Sequence, residues 1–291
     1  MNRTAESRGS RRAGRRFAAA IAALLLVPGL VTILAFGTLL TTPTSAWVAG
    51  TPLVVTPTPT PPPTARAETP MPNPRPAFDA GLAAYDRGNF REAERQFRFA
   101  LALAPREAGL HNSLGLALAS QARLQEAIDA YRQAILLDPG LPEVHTNLAA
   151  AYHTLVWLDE ARTAYQTAIA VDPHFAPAYN GFGNLLQDTG EPKAAAAAYQ
   201  QAIDADPNLI SAYRSLAALT AGQGDLAAAA VTLEQAAAHA PIDAAVHYDL
   251  GVVYALQGRI DPARRKFQQA IDLAPDSDLA ARARTQLGRL R

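Results

Sequence analysis

Six prolines recur along this sequence at intervals of 34 residues. They are Pro105, Pro139, Pro173, Pro207, Pro241 and Pro275. A fixed period of this length indicates a repeat architecture, in which each unit is one supersecondary element that stacks on its neighbours. The chain is therefore predicted to fold as an extended array rather than as a globular domain with a single core.

Other positions keep the same period. With proline at position 32, six repeats run from residue 74 to residue 277, and positions 20 and 27 are alanine in every repeat. The residues at position 8 are always small: Gly81, Gly115, Ala149, Gly183, Ala217 and Gly251. Position 24 is aromatic in five repeats and leucine in the fifth: Phe97, Tyr131, Tyr165, Tyr199, Leu233 and Phe267. Small residues allow helices to approach closely, and we expect the aromatic residues to fill the space between neighbouring repeats.

The remaining repeated residues predict where helices stop. Proline at position 32 ends a helix, because it has no backbone N–H and disfavours helical geometry in the residue before it. Position 15 is glycine in four repeats, at Gly88, Gly190, Gly224 and Gly258. Glycine at this position permits a tight turn between two helices.

This pattern resembles the tetratricopeptide-repeat family, and the sequence as a whole is similar to a membrane-anchored protein of this family of the bacterial type. The resemblance implies an all-α fold, a right-handed α-solenoid of six helix-turn-helix repeats over residues 74–277. Residues 278–291 follow the last proline and read as one amphipathic helix. Such a helix is expected to cap the apolar face of the last repeat, as terminal units of solenoids must.

The first 40 residues predict a membrane anchor. Residues 1–16 carry six arginines and one glutamate, and residues 17–40 are uncharged and mostly apolar. A helix of that length reaches about 36 Å, enough to cross the ~30 Å hydrocarbon core of a bilayer. The flanking arginines place residues 1–16 in the cytoplasm and the repeats outside it. A cleaved signal peptide is the alternative, although no small-residue cleavage site follows closely.

Residues 41–73 are rich in threonine and proline, with TPTPTPPPT at residues 56–64. Proline-rich segments favour polyproline II over a packed core. This segment is therefore predicted to be a semi-rigid, disordered linker between the membrane and the repeats.

Composition argues against several classes of function. From residue 66 onward the chain has 20 basic and 25 acidic residues, which is unfavourable for a nucleic-acid-binding surface. The absence of cysteine excludes disulfides and thiolate metal sites. The sequence contains no phosphate-binding glycine loop or nucleophile motif, and three of its six histidines share repeat position 4. We therefore expect no enzyme activity, cofactor or metal, and a packing role for the histidines.

Candidate binding residues come from the resemblance. In this family, positions 2, 5, 9 and 12 of the first helix line a concave groove that holds a protein or peptide partner. The polar residues at or beside these positions are Asn112, Asn147, Asn180, Asn184 and Arg214. Asparagine both donates and accepts hydrogen bonds, which suits an extended peptide backbone. The carboxylate clamp of chaperone-binding members is not reproduced.

Trp157 differs from the polar residues found at position 16 of the other repeats. Two interpretations remain open at this stage. The ring folds back on Val156 and Leu158, or it is an exposed anchor of the kind enriched at interface hot spots.

These features predict a membrane-anchored scaffold that binds a protein or peptide outside the cytoplasm. One alternative is a targeting or assembly subunit of an enzyme or secretion complex whose catalyst is a separate chain. Another is a secreted soluble binder, if the N-terminal segment is cleaved.

Overall fold

The computed structural model describes residues 73–290, which form thirteen α-helices and no strand. The all-α class implied by the family resemblance is confirmed for the described residues. The predicted basic tail, membrane helix and most of the linker lie outside the described residues. The helices are α1 Arg75–Asp86, α2 Phe90–Leu103, α3 Ala108–Ala119, α4 Leu124–Leu137, α5 Pro142–Thr154, α6 Leu158–Val171, α7 Ala176–Asp188, α8 Pro192–Ala205, α9 Ile210–Gly222, α10 Leu226–His239, α11 Ala244–Leu256, α12 Ile260–Leu273 and α13 Asp278–Arg289.

Each repeat is a pair of helices, an odd-numbered helix A followed by an even-numbered helix B, and each pair packs on the next. Every helix B ends two residues before its proline. Two B helices are capped by polar side chains, since Asn89 accepts from the Glu92 N–H at 3.3 Å and Asp225 from the Ala228 N–H at 2.9 Å. These caps satisfy backbone donors that the first turn leaves unpaired.

The twelve repeated alanines are fully buried between helices. Each one is 0% exposed: Ala93, Ala100, Ala127, Ala134, Ala161, Ala168, Ala195, Ala202, Ala229, Ala236, Ala263 and Ala270. A larger side chain at any of them would have to displace a neighbouring helix. The alanines therefore set the distance between helices throughout the array.

The expectation that the aromatic residue at position 24 packs between repeats is met by Tyr165 of repeat 3, which contacts Phe182 of the next repeat. In four other repeats the ring lies on the position-8 glycine of helix A in the same repeat. A Cβ added to Gly115 would lie 2.4 Å from Tyr131 Cε1, and one added to Gly183 would lie 2.5 Å from Tyr199 Cε1. The missing side chain of the glycine is the space that the ring occupies, so the ring locks helix B onto its own helix A.

In the two repeats that have alanine at position 8, the side chain at position 24 packs differently. In repeat 3, which carries Ala149, the Tyr165 ring lies on Gly181 of the next repeat, where an added Cβ would be 2.5 Å from Tyr165 Cε1. Repeat 5 carries Ala217 and has Leu233 in place of the ring, and both are 1% exposed. The size of the residue at position 8 thus matches the side chain that packs near it.

The turn between helices A and B has a left-handed residue at position 15 in all six repeats. The four glycines there have φ between 73° and 91°, which confirms the role predicted for them. Ala122 (φ 59°) and Val156 (φ 62°) adopt the same conformation without being glycine. This conformation costs an L-residue roughly 1–2 kcal/mol, and a β-branched side chain such as valine is a rarer exception still.

The histidines at position 4 join consecutive repeats. Nε2 of His111, His145 and His247 lies 2.9, 2.9 and 2.8 Å from the carbonyl oxygens of Pro105, Pro139 and Pro241. Each histidine therefore reaches the loop that ends the preceding repeat and satisfies a carbonyl left free where helix B stops. Their role is packing and hydrogen bonding within the array, as the shared position predicted.

Helix α13 takes the place that helix A of a seventh repeat would have. Ser277 caps it by accepting from the Ala280 N–H at 3.2 Å, and Ala280 and Ala283 are 0% exposed against repeat 6. The positions that face helix B in a complete repeat are exposed here and are small or polar: Ala281, Arg284, Thr285 and Gly288. Such a surface ends the array without an apolar face. None of the helices between residues 73 and 290 is long and apolar enough to span a membrane.

Candidate functional site

The A helices of consecutive repeats contact one another from α3 to α13, whereas consecutive B helices make no comparable contact in the described part of the chain. Helices on the inside of a curved stack lie closer together than those on the outside. We call the surface formed by positions 5 and 9 of the A helices the A-helix face. All five predicted site residues lie on these helices.

Polar side chains link neighbouring A helices along this stack at a spacing of 35 residues. Four such pairs are present: Tyr85 Oη with Ser120 Oγ at 3.0 Å, Asn112 Oδ1 with Asn147 Nδ2 at 3.0 Å, His153 Nε2 with Asp188 Oδ2 at 3.1 Å, and Arg214 Nε with Asp249 Oδ2 at 2.6 Å. Because the repeat is 34 residues long, a spacing of 35 pairs a residue with the one that lies one position further along in the next repeat. This offset of one residue reflects the rotation between stacked repeats. These pairs fix the register of the A helices.

The side chains of Asn112 and Asn147 are therefore hydrogen-bonded to each other. The Asn147 amide donates to the Asn112 carbonyl oxygen, and both residues are half-buried. This pair still has amide groups to offer a ligand, because each asparagine has capacity for further hydrogen bonds.

Asn180 and Asn184 lie one helical turn apart on α7 and are less completely bonded. Asn184 is exposed and accepts from the Tyr199 hydroxyl at 2.8 Å. The Asn180 amide nitrogen lies 3.5 Å from Ser211 Oγ, a long contact, and its buried Oδ1 has no hydrogen-bond partner among the described residues. Asn180 therefore carries the least satisfied polar group on the A-helix face.

Arg214 is not a freely solvated cation. It forms an ion pair with Asp249, whose side chain is only 8% exposed. Asp249 and a second arginine, Arg282, were not among the predicted site residues. The Arg282 guanidinium lies 5.0 Å from the centre of the Tyr248 ring. Tyr248 is on α11, the A helix that follows the one carrying Arg214. The C-terminal end of the A-helix face thus combines two arginines with one buried carboxylate.

Burial raises the pKa of the Asp249 carboxyl above its ordinary value, and the attraction of Arg214 offsets this effect only in part. Removal of Arg214 would leave a buried carboxylate without its partner, a change that costs about 3–5 kcal/mol in fully buried pairs. The ion pair therefore makes Arg214 a stabilising residue as well as a candidate binding residue.

Trp157 is 39% exposed, and its ring stacks on Tyr152 with centroids 5.7 Å apart and planes 29° apart. The fold-back on Val156 and Leu158 is not the main contact, since Val156 remains 70% exposed. The indole is instead held by a neighbour on α5 while one side stays open to solvent. Both aspects predicted as alternatives, intramolecular packing and exposure, are therefore present together.

Comparison with known proteins identifies the repeats. Two family profiles, both described as tetratricopeptide repeat, match residues 78–142 and 158–210 in one case and residues 221–287 in the other. Together they cover more than half of the chain, and neither describes a catalytic domain. No curated protein sequence matches this chain significantly.

Solved structures with the same fold include Tom70 of yeast, PilF of Pseudomonas aeruginosa and a chain of the APC/C hetero-tetramer Cut9–Hcn1. Tom70 is 21% identical with a TM-score of 0.66, over 75% of this chain and 47% of its own. PilF is 18% identical with a TM-score of 0.57, over 74% and 97%. The Cut9–Hcn1 chain is 18% identical with a TM-score of 0.62, over 77% and 44%. This chain thus spans less than half of the Tom70 and Cut9–Hcn1 chains, and these likenesses show the fold alone.

Because burial raises the pKa of Asp249, its contribution to the free energy of unfolding should depend on pH. Because the folded protein holds the Asp249 proton more tightly than the unfolded chain does, the native state binds more protons over the range from about pH 4, the ordinary pKa of aspartate, up to the raised value. The contribution of Asp249 to the free energy of unfolding is therefore greatest below this range and decreases as the pH rises through it.

We predict that the free energy of unfolding of the parent, minus that of Asp249→Asn, falls as the pH is raised from 4 towards neutrality. Urea unfolding of both proteins at a series of pH values measures this difference, and the subtraction cancels the other carboxyl groups. A difference that rises with pH would mean that Arg214 lowers the pKa of Asp249 below its ordinary value.

Proposed function

The chain is a member of the tetratricopeptide-repeat family, and from this premise we propose that it is a membrane-anchored scaffold that binds a protein or peptide partner outside the cytoplasm. The A-helix face is the proposed concave binding groove. The anchor is residues 17–40, and the linker of residues 41–73 holds the repeats away from the membrane. No nucleic acid and no cofactor takes part.

The observation that carries the proposed groove is the incomplete hydrogen bonding of α7. Asn184 exposes its amide one turn from Asn180, and Asn180 Oδ1 is a buried acceptor with no partner among the described residues. A buried acceptor without a hydrogen bond costs free energy, which a ligand relieves if the Asn180 amide turns towards it. An extended peptide backbone offers alternating donors and acceptors, which match the two functions of an asparagine amide.

The two ends of the face differ in polarity. Arg214 and Arg282 lie near two carboxylates, Asp249 and Asp243, so the C-terminal end carries charges of both signs. Phe78 and Leu82 hold positions 5 and 9 of repeat 1. A peptide that runs along the A helices would therefore meet apolar side chains at one end and charged groups at the other.

The proposed anchor is supported by sequence features at the N-terminus. The uncharged stretch of residues 17–40 is long enough to span a bilayer, and six arginines precede it, with no basic residue in the 25 residues that follow. This asymmetry favours a cytoplasmic N-terminus. The Pro/Thr-rich linker then lies on the same side of the membrane as the repeats.

A prediction about topology follows. Protease added to intact spheroplasts is expected to degrade the repeat region of the full chain, because the positive-inside arrangement places it outside the cytoplasmic membrane. The measurement is an immunoblot against the repeats, with a cytoplasmic protein as the control for intact cells. Full protection of the repeats would contradict the proposed location.

A second prediction concerns the groove. A partner is first captured by crosslinking to the full chain, and its affinity is then measured for the parent and for the double variant Asn180→Ala, Asn184→Ala. Each neutral hydrogen bond contributes about 0.5–1.5 kcal/mol, so two lost bonds should weaken binding about tenfold. The melting temperature should change little, since alanine favours helix and the Tyr199 hydroxyl, which loses Asn184 as an acceptor, still has Gln187 Oε1 at 3.2 Å.

The matched control is the double variant Gln201→Ala, Gln235→Ala, which removes two exposed amides at position 26 of the B helices in repeats 4 and 5. It is expected to bind like the parent. Equal affinity of the asparagine variant and the parent would place the partner on a different surface. A loss of both affinity and stability would show that the two asparagines hold the repeats together.

A further inference from the structure

The turn between α5 and α6 carries an exposed apolar surface that the fold does not require. It consists of Val156 and Trp157, with Tyr152 beneath the indole, and we call it the turn patch. It lies at the end of the helices, away from positions 5 and 9 of the A-helix face. We propose that the turn patch is a second binding surface, which takes a peptide segment with a large apolar side chain next to arginine or lysine.

Val156 is the first observation behind this proposal. It occupies the left-handed position that four other repeats fill with glycine, yet it has a φ of 62° and its side chain is 70% exposed. At those four glycines an added Cβ would meet nothing within 4 Å, so a side chain at this position points into open space. Val156 therefore combines backbone strain with an apolar group in water. Neither is offset by packing within the chain, and uncompensated strain of this kind occurs at functional sites.

Trp157 is the second observation. Its ring is supported on one side by Tyr152, which is itself held by Arg132: the guanidinium donates to the Tyr152 hydroxyl at 2.9 Å and lies 5.9 Å from the ring centre. The indole is thus preorganised while 39% of the residue remains exposed. A rigid, partly exposed tryptophan beside an aliphatic side chain is typical of an interface anchor.

The charges around the turn patch indicate the kind of partner. Four carboxylates lie on the elements next to it, and we call them the acidic rim: Asp159, Glu160, Asp188 and Glu191. The first two are in the first turn of α6, for which Trp157 is the N-cap residue. The other two belong to the following repeat and contact α5 and α6, since Asp188 lies 3.1 Å from His153 Nε2 and Glu191 forms an ion pair with Arg162.

The two arginines that contact this region are already paired with carboxylates. Arg132, which supports Tyr152, lies 4.0 Å from Asp129, and Arg162 forms an ion pair with Glu191. Asp159 and Glu160 have no ion pair among the described residues, so the first turn of α6 keeps a net negative charge. An apolar patch with an acidic rim favours a segment that combines a large apolar side chain with positive charge, and it disfavours an acidic one.

The test uses the full chain with Trp47→Phe, in which Trp157 is the only remaining tryptophan. The probes are two labelled synthetic peptides with the same Leu-Phe-Leu centre, flanked on both sides by arginines in one and by glutamates in the other. Peptide anisotropy measures affinity, and the fluorescence of Trp157 shows whether the indole is covered. We expect the arginine peptide to bind at least about tenfold more tightly, with a smaller difference at high salt.

The decisive variants are Val156→Gly and its matched control Ala122→Gly, which relieves the same backbone strain in repeat 2. Both should raise the melting temperature. Only Val156→Gly should weaken the arginine peptide, by several-fold, because it alone removes a contact of the turn patch. Trp157→Ala should weaken it further, and the groove variant Asn180→Ala, Asn184→Ala should leave it unchanged.

The proposal is overturned if the two peptides bind equally, or if Val156→Gly binds the arginine peptide as tightly as Ala122→Gly does. It is also overturned if the groove variant abolishes peptide binding, since the probe would then occupy the A-helix face. Failure of the turn patch would leave the proposed groove untouched, because the two tests use different residues and different ligands.

Discussion

The packing of helix A against helix B in each repeat depends on small residues at fixed positions. Twelve alanines at positions 20 and 27 are fully buried. In four repeats an aromatic ring from helix B occupies the space that a side chain at position 8 would take. This complementarity fixes how the two helices meet in those four hairpins. Because each repeat contacts only its neighbours, the buried alanines, which are present in all six repeats, shape the whole array.

The surfaces that remain for function follow from this constraint. Once the small residues are buried between helices, positions 5 and 9 of the A helices and the turns between helices are left with freedom to vary. The A helices are joined by polar pairs such as Asn112–Asn147 and Arg214–Asp249. These pairs give the A-helix face a fixed register, and Asn180 and Asn184 stand out against them as incompletely bonded. The turn patch differs from its surroundings in another way, because it places an exposed apolar side chain at a position where the turn favours glycine.

The sequence alone predicted the elements that depend on a residue's own chemistry. The helix ends at each proline, the glycine turns and the buried alanines all depend on local backbone geometry or on size, and a strict period makes such features visible. The direction of the position-24 ring could not be predicted, because glycine at position 8 accepts the ring from its own repeat whereas Gly181 accepts it from the one before. The Arg214–Asp249 pair could not be predicted either, because a spacing of 35 residues indicates a contact only when the rotation between repeats is known. The backbone strain at Val156 could not be predicted either, because the presence of valine in a turn does not show that its φ is positive.

The central claim, that the residue at position 8 and the side chain packed on it act as one unit, is tested most directly by a double-mutant cycle at Gly251 and Phe267. This pair has no hydroxyl to complicate the result, and an added Cβ on Gly251 would lie 2.7 Å from the ring. Chemical unfolding of Gly251→Ala, Phe267→Leu and the double variant, which recreates the Ala217–Leu233 pair of repeat 5, gives the coupling free energy. The account predicts that the double variant is more stable than the sum of the two single effects by about 0.5–3 kcal/mol, the range for residues in contact. Additive effects would contradict it, because they would mean that the ring does not depend on the glycine.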